Sequence, residues 1–257
     1  MSRPKGLLTL LSELAVIVIG VLIALGVDEW NDTRRERVLE QEYIARLVQD
    51  LEVDLAEYEW TASNYVSTSE HAEGFLAWLR GDRPEWMDET VVTVAHFATR
   101  VNTPDHVVGA YEELVSTGRL NLIRDPALRA RLAHYYAQAE ARQVFYHNRD
   151  HRLIDYVAMR IPPAVRARVV DACAPSEVKR GPLAVMGVSE DPPGQCAPEL
   201  GELDAGALSR LLRSDPEAAL YATALLTDLE TANAYVRFST VLADALIEVL
   251  RAAFERP

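Results

Sequence analysis

The chain is poor in positive charge. Its 257 residues contain 26 Lys and Arg residues against 39 Asp and Glu residues, which gives a formal net charge of -13. A nucleic-acid-binding groove needs a basic face that displaces counterions from phosphates, so this balance argues against nucleic acid as a partner. It also argues against electrostatic attachment to anionic lipid.

Recognisable catalytic motifs are missing as well. The sequence contains no G-x-S-x-G, P-loop, G-x-G-x-x-G or H-E-x-x-H motif, so we expect a protein that is not an enzyme and carries no cofactor. His147 and His151 stand at i and i+4, a spacing that places two imidazoles on one helix face, with Asp155 one turn further. One hypothesis about function is therefore a metal-dependent hydrolase with its metal site at these residues. Because the same spacing arises by chance on solvated helices, we expect no metal.

Cysteine is scarce too. The only two cysteines, Cys173 and Cys196, both fall in the one segment rich in proline and glycine. They are either a disulfide in an oxidising compartment or two free thiols in a cytosolic loop. A body outside the cytoplasm would favour the disulfide.

Long apolar runs are limited to one, at residues 7–27. It is about long enough to cross a hydrocarbon core of roughly 30 Å as a helix. Arg3 and Lys5 precede it, and Trp30 follows at the headgroup level. We predict a short cytoplasmic tail at residues 1–6, one transmembrane helix, and a body at residues 28–257 in the periplasm, hence a single-pass inner-membrane protein. The alternative is a cleaved signal peptide that ends near Ala24.

One face of this apolar segment carries small and ionisable residues. Glu13, Ile17, Gly20 and Ala24 share a helix face, and Gly20-x-x-x-Ala24 is a pair of small residues that lets two helices approach closely. We therefore predict a helix–helix interface here, formed with a second copy or with another membrane protein. Glu13 alternatively reaches the headgroups and has no role in the interface.

The rest of the sequence predicts an all-α fold. Apolar residues spaced by three and four from Ile44 to Tyr65, including Leu55 and Ala62, predict a helix that continues from the membrane segment and stops at residues 81–84. Further helices are predicted at residues 86–100, from Thr103 to Gly118, from Asp125 to Arg160, and from Ser214 to the C-terminus. Long helices with short turns favour an antiparallel bundle, with one irregular loop region at residues 164–203. Tyr135 and Tyr136 are expected to pack with their hydroxyls at the surface.

Two stretches resemble a family of uncharacterised bacterial membrane-anchored helical proteins. The first joins Glu13, the string Gly20-Val21-Leu22-Ile23-Ala24-Leu25, and Trp30-Asn31. The second runs from Ala110 to Ile123 through Ser116-Thr117-Gly118-Arg119-Leu120-Asn121-Leu122, and a helix start at Asp125-Pro126 follows it. The resemblance covers roughly residues 10–140. It implies a retained membrane span and a helical body, and it assigns no activity.

Two hypotheses about function come from these observations. The first is a membrane-anchored, non-enzymatic scaffold or accessory subunit that presents a helical surface outside the cytoplasm. Its partners would be the lipid bilayer and either a second copy or another membrane protein. The second is a ligand-sensing helical bundle that relays a change to a partner membrane protein, which requires a cavity between helices.

Overall fold

The structure, a computed structural model, describes residues 5–173, 192–200 and 204–254, and the side chains of Leu14 and of residue 17 onward within these ranges. The described residues form eight α-helices and no β-strand. In chain order the helices are α1 (Lys5–Arg80), α2 (Asp88–Phe97), α3 (Gly109–Ser116), α4 (Pro126–His147), α5 (Arg152–Arg160), α6 (Pro163–Cys173), α7 (Ala205–Arg213) and α8 (Ala218–Phe254). The predicted all-α fold is confirmed.

The continuous helix predicted from the apolar segment into the body is also confirmed. α1 has 76 residues, and is therefore about 114 Å long at 1.5 Å per residue. It ends at the predicted breaker, because Gly81 takes φ 89°, a conformation that glycine adopts without steric cost. The Gly81 N–H donates to the Trp78 carbonyl at 3.0 Å and closes the last turn.

α8 lies antiparallel to α1 along most of the body. Arg251, near the end of α8, pairs with Glu52 of α1. Thr223, near the start of α8, lines one groove together with Glu73. We call the end of the body near residue 40 the base and the end near Arg80 the top.

α2 and the following residues descend from top to base, and α4 then rises beside α1. At the middle of the body the Tyr135 hydroxyl meets Asp54, and higher up Arg149 meets the Tyr65 hydroxyl at 3.2 Å. α4 is therefore parallel to α1 and antiparallel to α8. The core lies between these three helices.

The buried face of α1 follows alternating steps of four and three residues. Its members are Leu47, Leu51, Asp54, Tyr58, Thr61, Tyr65, Thr68 and Ala72, all of them buried. Leu55 and Ala62, which we predicted in this face, are only half-buried. The direction of the face was predicted correctly, but polar residues at the 3/4 positions belong to it and two apolar ones lie at its edge.

The predicted helix start at Thr103 is wrong. Residues 101–108 form a connector without helical structure, and α3 begins only at Gly109. Side chains of neighbouring helices bind the backbone of the connector: the Val107 N–H donates to Asp54, and the Asn102 carbonyl accepts from Tyr65. These long-range bonds satisfy polar groups that a helix would otherwise pair internally.

The helix predicted from Asp125 to Arg160 is two helices. Its start is confirmed, since Asp125 accepts a hydrogen bond from the Ala127 N–H at 2.8 Å. It breaks after His147, where the Asp150 N–H donates to the Asp228 carboxylate at 2.8 Å. The break is therefore held by α8, a contact that local sequence does not reveal.

The predicted irregular region at residues 164–203 is only partly irregular. α6 occupies its start, and residues 192–200 have no regular structure, whereas residues 174–191 and 201–203 lie outside the described part of the chain. Cys173, at the end of α6, is joined to Cys196 by a disulfide, with 5.8 Å between their Cα atoms. Of the two alternatives for these cysteines, a disulfide or two free thiols, the structure has the disulfide.

We expect the double variant Cys173→Ala/Cys196→Ala to be less stable than the wild type by about 3 kcal/mol, because the crosslink removes loop-closure entropy from the unfolded chain. Urea unfolding followed by circular dichroism measures this difference. Unchanged stability would show that the crosslink does not constrain the unfolded chain.

The apolar segment of α1 stands away from the body. Every described side chain from Ile17 to Trp30 is exposed. A Cβ atom added at Gly20 or Gly26 would meet nothing within 4 Å. Among the described residues, no helix holds a stretch long and apolar enough to span a membrane.

Candidate functional site

A buried polar cluster lies at the middle of the body, where α1, the connector and α4 meet. The Asp54 carboxylate accepts the Val107 N–H at 2.7 Å and the Tyr135 hydroxyl at 2.6 Å. The Tyr135 oxygen also lies 3.3 Å from that of Tyr58. All three side chains are buried. One carboxylate therefore joins three elements of the bundle.

Burial dominates the electrostatics of this cluster. It raises the pKa of the Asp54 carboxyl to about 7. The hydrogen bonds from Tyr135 and Val107 oppose this shift, and the charges of Asp50 and Glu57 add smaller raising contributions. Burial also raises the pKa of the Tyr58 hydroxyl to about 12 and that of Tyr135 further. Of these three hydrogen-bonded side chains, Asp54 is thus the one that ionises near neutral pH.

Our expectation that Tyr135 and Tyr136 place their hydroxyls at the surface is wrong. Both residues are buried, and the Tyr136 ring stacks on Tyr111 with 4.1 Å between ring centroids. The hydroxyl of Tyr136 has no hydrogen-bond partner. These tyrosines are interior polar groups, and their apolar rings concealed this in the sequence.

Further up α4, two more buried side chains have polar atoms without partners. They are both terminal nitrogens of Arg142 and the hydroxyl of Tyr146. The Arg142 guanidinium lies 5.9 Å from the centre of the Phe238 ring, which offsets part of the loss of hydration. Unsatisfied buried groups of this kind cost free energy, so this part of α4 is chemically unusual.

A carboxyl that titrates near neutrality beside a tyrosine is the kind of group that many active sites use. Here, however, Asp54 is fully buried. The groove between α4 and α8, of about 290 Å³, reaches Tyr135 and is lined mainly by apolar residues. Asp54 does not line this groove, the groove between α1 and α8, or the two grooves nearer the base.

The predicted metal candidates are not brought together. His147 closes α4, His151 precedes α5, and Asp155 lies within α5, so the histidines do not share one helix face. The His147 Nδ1 contacts the Gln143 carbonyl at 2.7 Å. Among the described residues, no three His, Cys, Asp or Glu side chains lie close enough together to hold a metal ion. The helical spacing on which the candidate site depended does not exist.

The residues predicted to form the membrane-helix interface lie along α1, and their contacts with a second helix stay a prediction. Ile17, Gly20 and Ala24 lie on α1 and are exposed. The side chain of Glu13 lies outside the described side chains. No described residue packs against this face.

No protein-family model, curated protein or solved structure matches this chain. The resemblance to an uncharacterised membrane-anchored family therefore stays a prediction.

Asp54 and Arg142 were not among the functional residues predicted from the sequence. A signal for Asp54 was present, since the 3/4 spacing through Leu47, Leu51 and Tyr58 passes through residue 54. We read that pattern through apolar residues alone. Arg142 had no local signal, because its burial depends on α1 and α8.

Proposed function

We propose that this chain is a non-enzymatic scaffold or accessory subunit, anchored in the inner membrane by the first part of α1. Its body stands in the periplasm and presents helical surface to a second copy or to another membrane protein. The resemblance of residues 10–140 to a membrane-anchored family points the same way.

One observation carries the proposal: the apolar start of α1 is uncovered. Between Leu14 and Val27 the large apolar side chains that the structure describes are each 48% to 63% exposed. Contiguous apolar surface of this extent is unfavourable in water, at roughly 25 cal/mol per Å². A lipid environment removes that cost, and an isolated helix satisfies its own backbone hydrogen bonds there.

The junction with the body supports an anchor rather than a flexible leader. Trp30 is exposed beside Arg34, whose guanidinium lies 5.8 Å from the indole. The first described contact with the body comes at Thr33, whose carbonyl accepts from Arg124 at 3.2 Å. The body would therefore begin within one helical turn of the headgroup level, on a rod with no break.

The Cys173–Cys196 disulfide supports a periplasmic body, because disulfides persist in oxidising compartments. A C-terminal alkaline phosphatase fusion tests this orientation. We expect an active fusion, and an inactive one together with a fluorescent C-terminal GFP fusion would place the body in the cytoplasm.

Carbonate washing of native membranes tests the anchor. We expect the full-length chain to stay in the pellet and to enter solution only with detergent. Recovery of the intact chain in the carbonate supernatant would refute the anchor. Recovery of a chain that begins near Val27 would establish a cleaved signal instead.

Two glycines allow a matched test of the proposed helix–helix interface. Gly20 lies on the face shared with Ile17 and Ala24, whereas Gly26 lies off it, and both have open space around them. We expect Gly20→Leu to lower the native mass in mild detergent and Gly26→Leu to leave it unchanged. Equal masses for the wild type and both variants would contradict association through this face.

A ligand-sensing bundle is the second candidate function. The buried, unpartnered Arg142 and Tyr146 favour it, because such groups are used where a ligand or a change of state satisfies them. Against it, the groove between α1 and α8, of about 470 Å³, is a surface feature rather than a cavity between helices. The scaffold is therefore the function that the geometry supports best.

A further inference from the structure

Basic side chains converge where α2 packs against α6, in the upper half of the body. His96 is buried, with 4% of its surface exposed, and neither ring nitrogen has a hydrogen-bond partner. The Nε atoms of Arg100 and Arg166 are likewise buried without partners. The remainder of each arginine is only half-buried, so the group borders solvent.

Among the described residues, the charges that act on His96 are of one sign. Burial and the charges of Arg100 and Arg166 lower the pKa of His96 to about 4. Neither arginine takes part in any of the ion pairs formed between described residues. Two uncompensated cations beside a buried imidazole are unexpected in a chain of net charge -13.

The helix that carries Arg166 adds to the positive potential. Arg166 ends the first turn of α6, and that turn contains no acidic residue. The N-terminus of a helix has partial positive charge, which disfavours a cation and favours an anion. Arg100, Arg166 and the N-terminus of α6 thus create a positive potential at one half-exposed place. A bound anion would lower the electrostatic energy of all three.

We propose that His96, Arg100 and Arg166 bind a doubly charged tetrahedral oxyanion, either inorganic or the terminal phosphate of a monoester. Two guanidinium groups, that of Arg100 just after α2 and that of Arg166 on α6, match a dianion in charge and supply paired donors for its oxygens. The neutral imidazole adds one N–H donor or, when it takes up a proton, two. A monocarboxylate would leave one cation uncompensated.

The location suits a solute rather than a lipid headgroup. The Arg100 carbonyl accepts from Thr68 of α1 at 3.0 Å. Thr68 lies roughly 57 Å along α1 from Trp30 at 1.5 Å per residue. The site is therefore remote from the proposed membrane surface, and its test does not depend on the membrane anchor.

Thermal unfolding of the full-length chain in mild detergent tests the site. Three conditions are compared at equal ionic strength: sodium chloride, inorganic phosphate, and phenyl phosphate as a simple monoester. In chloride we expect Arg166→Gln to unfold at or above the wild-type temperature, because one of two repelling charges is gone. In phosphate we expect the order to reverse, because only the wild type gains stability from a bound dianion.

Titration calorimetry gives the affinities. We expect Arg100→Gln and Arg166→Gln each to weaken phosphate binding at least tenfold. Arg168→Gln, the same charge change two residues further along α6, should leave it unchanged. A gain with inorganic phosphate but not with phenyl phosphate identifies a free anion as the ligand, and a larger gain with the monoester identifies the ester.

Two outcomes would overturn the proposal. One is stabilisation by phosphate no greater than by chloride in the wild type. The other is an equal loss of affinity in Arg168→Gln, which would show general charge screening. Both Arg100 and Arg166 are partly exposed, so misfolding of their glutamine variants is not expected to obscure either result.

Discussion

Replacing Val18 and Val21 with arginine will move the chain from the membrane pellet to the carbonate-soluble fraction. Both valines are exposed, near the middle of the apolar segment. An arginine at the centre of a transmembrane helix costs about 2.5 to 3.5 kcal/mol for insertion, so two cost roughly 6 kcal/mol. That is enough to prevent insertion of a single span with no neighbouring helix in its own chain.

The same helix offers a matched control. Val38 and Val66 are also exposed valines of α1, but they lie beyond Trp30. The double variant Val38→Arg/Val66→Arg should stay in the pellet and keep the Cys173–Cys196 disulfide. Release of both double variants, or of neither, would contradict anchoring by residues 7–27.

The sequence predicted the parts of the fold that depend on local chemistry. The α1 terminus at Gly81, the cap at Asp125 and the helix end before Gly118 each rest on one residue with a strong backbone preference. The length of α1 could be predicted because no glycine or proline signal ends the helix before residues 81–84. Such features hold whatever the rest of the chain does.

The failures share one physical cause. The connector at residues 101–108 is held open by Asp54 and Tyr65, and the break near Asp150 is held by Asp228. These partners are more than 35 residues distant in sequence. Helix was predicted at both places from local start and stop signals, at Thr103-Pro104 and at Pro162-Pro163, and those signals carry no information on hydrogen bonds to distant side chains.

The candidate sites were harder to predict than the fold for the same reason. His96, Arg100 and Arg166 have no spacing signal, because α2 and α6 meet only in the folded body. The 3/4 spacing alone could have placed Asp54 on the inner face of α1, but it could not show that the side chain is buried. A carboxylate within an apolar pattern is equally compatible with a position at the surface. Burial decides between the two, and burial is a property of the whole bundle.

Asp54→Asn will make the chain more stable than the wild type at pH 8 and leave it nearly unchanged at pH 4. Asparagine resembles the protonated carboxyl: its oxygen can accept the Val107 N–H, and its amide can donate to Tyr135. It lacks only the charge, which burial disfavours.

The direction of the pH effect is set by the raised pKa of Asp54, about 7 in the folded chain against about 3.9 in an unfolded one. Below about pH 4 both states are protonated. Between these values the folded state holds one proton more, so raising the pH lowers the wild-type free energy of unfolding. Above pH 7 both states are ionised and the difference stays constant, at roughly 4 kcal/mol for a shift of this size.

Urea unfolding of the full-length chain in mild detergent, at steps from pH 4 to pH 8, measures the difference between the two chains. The pH dependence of all other titratable groups is common to both chains and cancels in this difference. Glu59→Gln, an exposed carboxylate removed from the same helix, should follow the wild type at every pH. A pH-independent difference for Asp54→Asn, or one that favours the wild type at high pH, would show that the folded state holds Asp54 ionised. The cluster would then be stabilised by the Val107 and Tyr135 hydrogen bonds to a charged carboxylate, which requires them to outweigh the cost of burying it.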